Sequence, residues 1–231
     1  MSSAVDPRSL RPLQPGERMT RDEFEVRFDV TPDLKMAELI EGIVYITPKP
    51  IPLLTFGEPC AHLIGWLAQY DVETPGVEGG AHAHIRLDAF NEPQPEVSLI
   101  IRPECGGAVR IVNGMVEGPP ELVTEVTYDT PVVDPNTRLY LYRRHGIREY
   151  IRWRTTERTI DWFALHGERY ERLPSDSAGV IRSEVFPGLW LDTDSMLRND
   201  PLAVRQCQEL GNASPEHARF AARLRQLHVE R

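Results

Sequence analysis

Glu38, Glu96, Glu125 and Arg138 are the residues of this chain whose types and positions could do chemistry together. Each glutamate falls at or near the end of a strand-like segment, and the arginine opens the helix-like segment after the third glutamate. Carboxylate oxygens suit a hard divalent cation such as Mg2+, which commonly takes one or two of them and keeps bound water. An ion held in this way polarises a phosphodiester and lowers the pKa of its water. A nearby cation offsets charge developing on the phosphate. Acidic residues on strands are nevertheless common. Glu38 equally fits an exposed strand carboxylate, and Glu96 one that stays near solvent at a sheet edge.

The elements that must position these groups centre on residues 119–153. Residues 121–127 read as a strand, and alternation sends Glu121, Val123, Glu125 and Thr127 to one side and Leu122, Thr124 and Val126 to the other. Glu125 therefore sits beside Val123, at the edge of a core. Thr130-Pro131 and Asp134-Pro135 punctuate the chain before a helix that carries Arg138, Leu141, Tyr142 and His145 at helical spacing. Gly146 stops that helix, and residues 149–154 form the next strand. Strand, helix and strand in succession indicate an α/β core.

Upstream, residues 1–18 are rich in Pro, Ser and Arg and read as a disordered or wrapping arm. Thr20 and Glu23 form a capping box for a short helix with Phe24 and Phe28 on one face. Residues 35–47 read as two strands around Glu41-Gly42, residues 48–52 as a proline-rich link, and residues 55–70 as an amphipathic helix. His82 and His84 fall on one face of a strand-like run, a spacing that can ligate a metal, although a partly exposed strand edge explains them as well. Residues 95–101 read as a buried strand, and 109–112 as a short strand within a glycine-containing connection. Downstream come a hairpin around His166-Gly167, an apolar stretch in which Phe186, Leu189, Trp190 and Leu191 lock the sheet, and two terminal helices over 199–211 and 214–230.

The chain has 231 residues, 41% hydrophobic and 26% charged, enough for one good-sized domain with extensions. No apolar run approaches the roughly 20 residues that span a bilayer, so no membrane association is expected. Residues 1–18 lack the apolar segment of a secretory signal. Cys60, Cys105 and Cys207 lie far apart, with no metal-ligand spacing and no even disulfide set, which makes a reducing cytoplasm the expected location. A net charge of −9 disfavours strong, non-specific nucleic-acid binding. Arg138, Arg143, Arg144, Arg148, Arg152, Arg154 and Arg158 nevertheless crowd one region, as either a solvated face or a local phosphate-facing patch.

Six segments in order carry a resemblance: MTRDEF at 19–24, AELIEGIVYITPKP at 37–50, QPEVSLI at 94–100, PPELVTEVTYDT at 119–130, RLYLYRRHGIREYIRW at 138–153 and SEVFPGLWLD at 183–192. Together they resemble the Uma-two family, assigned to restriction endonucleases within the PD-(D/E)XK nuclease superfamily. The resemblance covers 19–197. It implies an α/β, restriction-endonuclease-like fold, with a mixed central β-sheet flanked by helices, to which this chain adds an outer hairpin and C-terminal helices over 198–231. It also implies Mg2+- or Mn2+-dependent hydrolysis of DNA phosphodiesters, with a homodimer as the natural way to cut both strands. Carried over by position, Glu38 is similar to the family's N-terminal acidic residue, Glu96 falls at its Pro-Asp aspartate, and Glu125 matches the acid of the next strand. The implied metal ligands are Glu96 and Glu125. The wider superfamily has a lysine two residues after that acid, where this chain has Thr127; the family's lysine comes from the following helix, where this chain has Arg138. Glutamate at 96 is longer than aspartate by about 1.5 Å, and arginine at 138 keeps the charge but not a proton to exchange near neutral pH. A catalytically degenerate member, acting as a nucleic-acid or protein-binding module, is the alternative expectation.

Overall fold

In the computed structural model, residues 11–34, 36–47, 50–129 and 131–229 are described. The expectations for residues 1–10 of the arm, Lys35, Pro48, Lys49, Thr130 and Glu230 lie outside them. Thr20 caps α1 (Arg21–Val30) by accepting the Glu23 N–H. A hairpin follows, β1 (Ala37–Ile40) and β2 (Ile43–Ile46), whose turn places Glu41 and Gly42 at φ of 52° and 70°, the left-handed pair that a tight two-residue hairpin needs. Residues 11–18 wrap back onto this hairpin: Gly16 N–H donates to the Val44 carbonyl, and Leu13 packs with Phe24, Leu39 and Val44.

A π-helical turn (Leu53–Gly57) leads into α2 (Glu58–Glu73), so the regular α-helix starts three residues later than the apolar pattern predicts. The remaining elements are β3 (Val77–Ala81), β4 (Ile85–Arg86), β5 (Val97–Ile101), β6 (Arg110–Val112), β7 (Met115–Glu117), β8 (Leu122–Thr127), α3 (Pro135–Arg144), β9 (Glu149–Arg154), β10 (Thr159–His166), β11 (Arg169–Arg172), β12 (Val180–Arg182), β13 (Trp190–Asp192), α4 (Thr193–Leu197), α5 (Pro201–Asn212) and α6 (Pro215–Val229). The central sheet has the order β11-β10-β9-β8-β5-β3; β8 and β9 pair parallel across the α3 crossover, and the other neighbours pair antiparallel. A mixed α/β sheet flanked by helices is therefore present.

Alternation along the strands divides the core into two faces. Leu122 and Val126 on β8, with Val97, Leu99 and Ile101 on β5, pack against Leu63, Trp66 and Tyr70 of α2. Val123 and Tyr150 instead meet Leu141 and Tyr142 of α3 on the other face. The terminal helices join the α2 side: Val204 of α5 and Leu224 of α6 belong to that cluster, and Trp66 donates its indole N–H to Gln208 of α5 at 3.0 Å.

The connection after β5 is more structured than its sequence suggests. β6 begins at Arg110, a second strand β7 pairs with it, and β4 adds parallel to β7. His82 and His84 do not share a strand face: β3 ends at Ala81, and His82 turns the chain at φ 51°. His84 instead pairs with Glu92 at 2.9 Å and packs edge-on against Phe28. No helix among the described residues is long and apolar enough to cross a membrane.

Candidate active site

Local sequence fixes where each charged side chain emerges. Asp134 caps α3 by accepting the N–H groups of Asn136 and Thr137 at 2.9 and 3.1 Å, with Pro135 setting the first helical φ. With the start pinned, Arg138 and Tyr142 lie one turn apart and both face the sheet. Glu125 leaves β8 on that same face, beside Val123. Glu38 comes from β1, and its carboxylate also accepts the Gln94 N–H at 3.4 Å. Glu96 immediately precedes β5, where its backbone N–H donates to the Thr124 carbonyl.

These residues converge. Arg138 Nη1 donates to Glu38 Oε2 at 2.9 Å and to Glu125 Oε1 at 2.8 Å, while its Nη2 pairs with the other Glu38 oxygen. Tyr142 donates its hydroxyl to Glu125 Oε1. Glu96 accepts the Val126 N–H at 2.8 Å and shares a side-chain hydrogen bond with Glu125. All four predicted residues are buried, with Glu125 only 2% exposed. Glu96, expected near solvent at a sheet edge, is 6% exposed instead. The reason is topological: β3 pairs along the outer side of β5, so β5 lies inside the sheet.

Burial sets the electrostatics. Withdrawal from water raises the Glu125 carboxyl to about 7; Glu38 adds to the rise, and Arg138 and Tyr142 oppose it. Burial and then the charge of Glu125 hold Glu96 well above the ordinary carboxyl range. Burial alone would lower the Arg138 pKa, but Glu125 and Glu38 raise it well above its ordinary value. This guanidinium is a fixed cation and no general base.

Tyr142, noted in the sequence only for its helical spacing, joins the cluster through Glu125; its i+4 relation to Arg138 was the available signal. Most of the arginine-rich run proves to be paired elsewhere. Arg144 meets Glu41 at 2.8 Å, Arg143 donates to the Glu168 carbonyl, and Arg158 donates to that of Leu197. Arg152 and Arg154 both reach Asp161, a fully buried aspartate of β10. Among the described residues, no group of three or more His, Cys, Asp and Glu side chains is disposed to cage a metal ion. A groove lined by Gly65, Trp66 and Val204 among others lies between α2 and α5, across the sheet from Arg138.

The site thus gathers Glu125 of β8, Glu38 of β1 and Glu96 at the start of β5 around the helix-borne cation Arg138 in a mixed sheet. The model of the Uma2 family, described as "Putative restriction endonuclease", matches residues 21–194, and the chain belongs to that family. Among solved structures it is similar to "a putative nuclease belonging to DUF820 from Anabaena variabilis ATCC 29413", at a TM-score of 0.58 and 16% identity, covering 78% of this chain and 99% of that one. At that identity the likeness establishes the fold. No curated protein matches the sequence. Family and fold together support a nuclease.

Proposed function

We propose that the protein is a metal-dependent endonuclease that hydrolyses DNA phosphodiesters, with Glu96 and Glu125 as the ligands of Mg2+ or Mn2+. The observation that carries this reading is the buried Glu96–Glu125 pair, in side-chain contact and set against Arg138. Two adjacent buried carboxyls that share a single guanidinium with a third are a donor set for a hard cation, and two carboxylates plus water suit Mg2+. With all three ionised, Glu38, Glu96 and Glu125 against Arg138 leave two net negative charges, which a divalent ion balances. When bound, such an ion supplies Lewis-acid activation of the phosphodiester and of a water nucleophile.

The chain's own groups do the rest. Tyr142 and Arg138 hold the Glu125 carboxylate from one side, leaving its contact with Glu96 on the other. Glu38, gripping Arg138 by both oxygens, fixes the plane of the guanidinium, whose charge lies beside the carboxyl pair where phosphate charge would build up. Cutting both strands of a duplex calls for two such sites, which a homodimer in the cytoplasm would supply.

A second reading is also favoured by a specific contact. Arg138 bridges Glu38 and Glu125 and already neutralises part of the acidic charge, as expected of a degenerate site retained for binding. Supercoiled plasmid incubated with Mg2+ or Mn2+, beside Glu125→Ala, decides between them. Nicking by the parent that vanishes in the variant supports the nuclease. Absence of nicking in both supports the binding module, and equal nicking in both places the activity outside this cluster.

A further inference from the structure

Glu125 and Arg152 are register partners across the parallel pair β8–β9, as are Thr127 and Arg154. All four side chains therefore leave the same face, toward the C-terminal ends of the parallel strands, where open α/β sheets present ligand sites. Arg152 does not turn toward Glu125. Its Nη2 donates to Asp161 Oδ2 at 2.9 Å, and Arg154 donates Nε and Nη2 to the same oxygen at 3.2 and 3.0 Å. Arg172 of β11, register partner of Phe163, pairs with the other Asp161 oxygen.

One or two guanidiniums suffice to satisfy a buried aspartate; here there are three. Asp161 and Glu157, which pairs with Arg154, supply two negative charges against three positive ones. The arginine side chains run from 15% exposed at Arg152 through 24% at Arg154 to 59% at Arg172, a gradient from the sheet to solvent. Arg152 Nε is buried and has no hydrogen-bond partner among the described residues.

We propose that Arg152, Arg154 and Arg172 form a binding site for backbone phosphates of DNA, flanking the scissile position, with Asp161 holding the three guanidiniums in place. Arginine forks match phosphate oxygens bidentately, and the cluster lies one strand away from Glu125. The site rests on the nuclease reading of the carboxylate cluster, which it extends to the neighbouring stretch of the strand.

The test is fluorescence anisotropy of a short labelled DNA duplex in EDTA, so that binding is read without turnover. Arg172→Ala is compared with Arg205→Ala, which makes the same charge change on α5, on the α2 side of the sheet. Arg172 is largely exposed, so its removal leaves the fold intact, as a thermal melt verifies. Loss of one phosphate contact lowers the slope of log K against log salt by about 0.9, and the expected result is that loss in Arg172→Ala with no change in Arg205→Ala. Equal effects of the two variants, no effect of either, or no measurable binding by the parent overturns the site. Parallel cleavage assays in Mg2+ separate the two readings. Arg172-dependent binding without cleavage sinks the nuclease and keeps the phosphate site, whereas cleavage without Arg172-dependent binding does the reverse.

Discussion

Around Arg138 one guanidinium is enclosed by carboxylates; around Asp161 one carboxylate is enclosed by guanidiniums. The two clusters share a sheet face, with Glu125 and Arg152 directly opposite one another on adjacent strands. They differ in how their charge can escape. Arg138, Glu125 and Glu96 are all buried, so the excess negative charge can be relieved only by a proton or another cation. The arginines around Asp161 are partly exposed and can turn their heads to water along flexible stems. On the proposed reading the acidic cluster takes a cation and the basic one an anion that competes with solvent, and a metal-bound phosphodiester calls for both.

Removing the central ion of each cluster is the sharpest way to test that difference. Arg138→Met strands Glu38 and Glu125 without their cation, and breaking a buried pair in this way costs about 3–5 kcal/mol. Urea denaturation in EDTA measures it; a loss near zero would mean that the carboxylates find water and that the cluster is not closed. Asp161→Asn removes the central anion but leaves cations that can reach solvent. Its expected cost is smaller, about 1.5–3 kcal/mol, the range for losing hydrogen bonds to a charged group. A loss as large as that of Arg138→Met would erase the contrast.

The same contrast shows what sequence can and cannot carry. Helix α3, its Asp134 cap and its Gly146 stop are local and legible, and so is the alternation that puts Glu125 beside Val123. The meeting of Arg138 with Glu38 spans 100 residues and depends on how β1 sits against α3, which no local pattern encodes. The burial of Glu96 follows from β3 pairing outside β5, a choice of strand order that composition does not reveal. Arg152 and Arg154 stood out as a basic run, and Asp161 is visibly an acid inside the apolar strand TIDWFAL. That they neutralise one another follows only from the β9–β10 register, which sets Asp161 opposite Arg152. The histidine pair failed for the opposite reason: regular spacing implied a strand, but the positive φ of His82 ends it.

Within the acidic cluster, Tyr142→Phe removes one donor to Glu125 while Arg138 and Glu96 remain. The expected loss is about 1–2 kcal/mol, read by urea denaturation, together with an upward move of the Glu125 titration, because that hydrogen bond favours the ionised form. Unchanged stability and titration would remove Tyr142 from the set of groups that hold Glu125.

The smallest effect separates the clusters by pH. Arginines stay protonated across the working range, whereas the Glu125 carboxyl, raised by burial to about 7, does not. A carboxyl raised in the folded chain holds its proton longer there than in the unfolded one. Its contribution to stability is therefore complete below the unfolded pKa and is lost as pH rises through about 7. Between pH 6 and 8 that amounts to about 1 kcal/mol for such a group. Glu149, buried under the β12–β13 connection where it accepts N–H groups of Glu184 and Val185, is also raised to about 7 by burial and adds a similar decline, and Glu96, raised by burial too, adds to it. Metal-free protein should accordingly melt at a lower temperature at pH 8 than at pH 6. Glu125→Gln should remove part of that slope and leave the parts due to Glu96 and Glu149, while Asp161→Asn should leave the slope as it is. A slope that Asp161→Asn flattens as much as Glu125→Gln does would mean that the two clusters titrate as one, and that the Glu125 titration is set by the arginines one strand away.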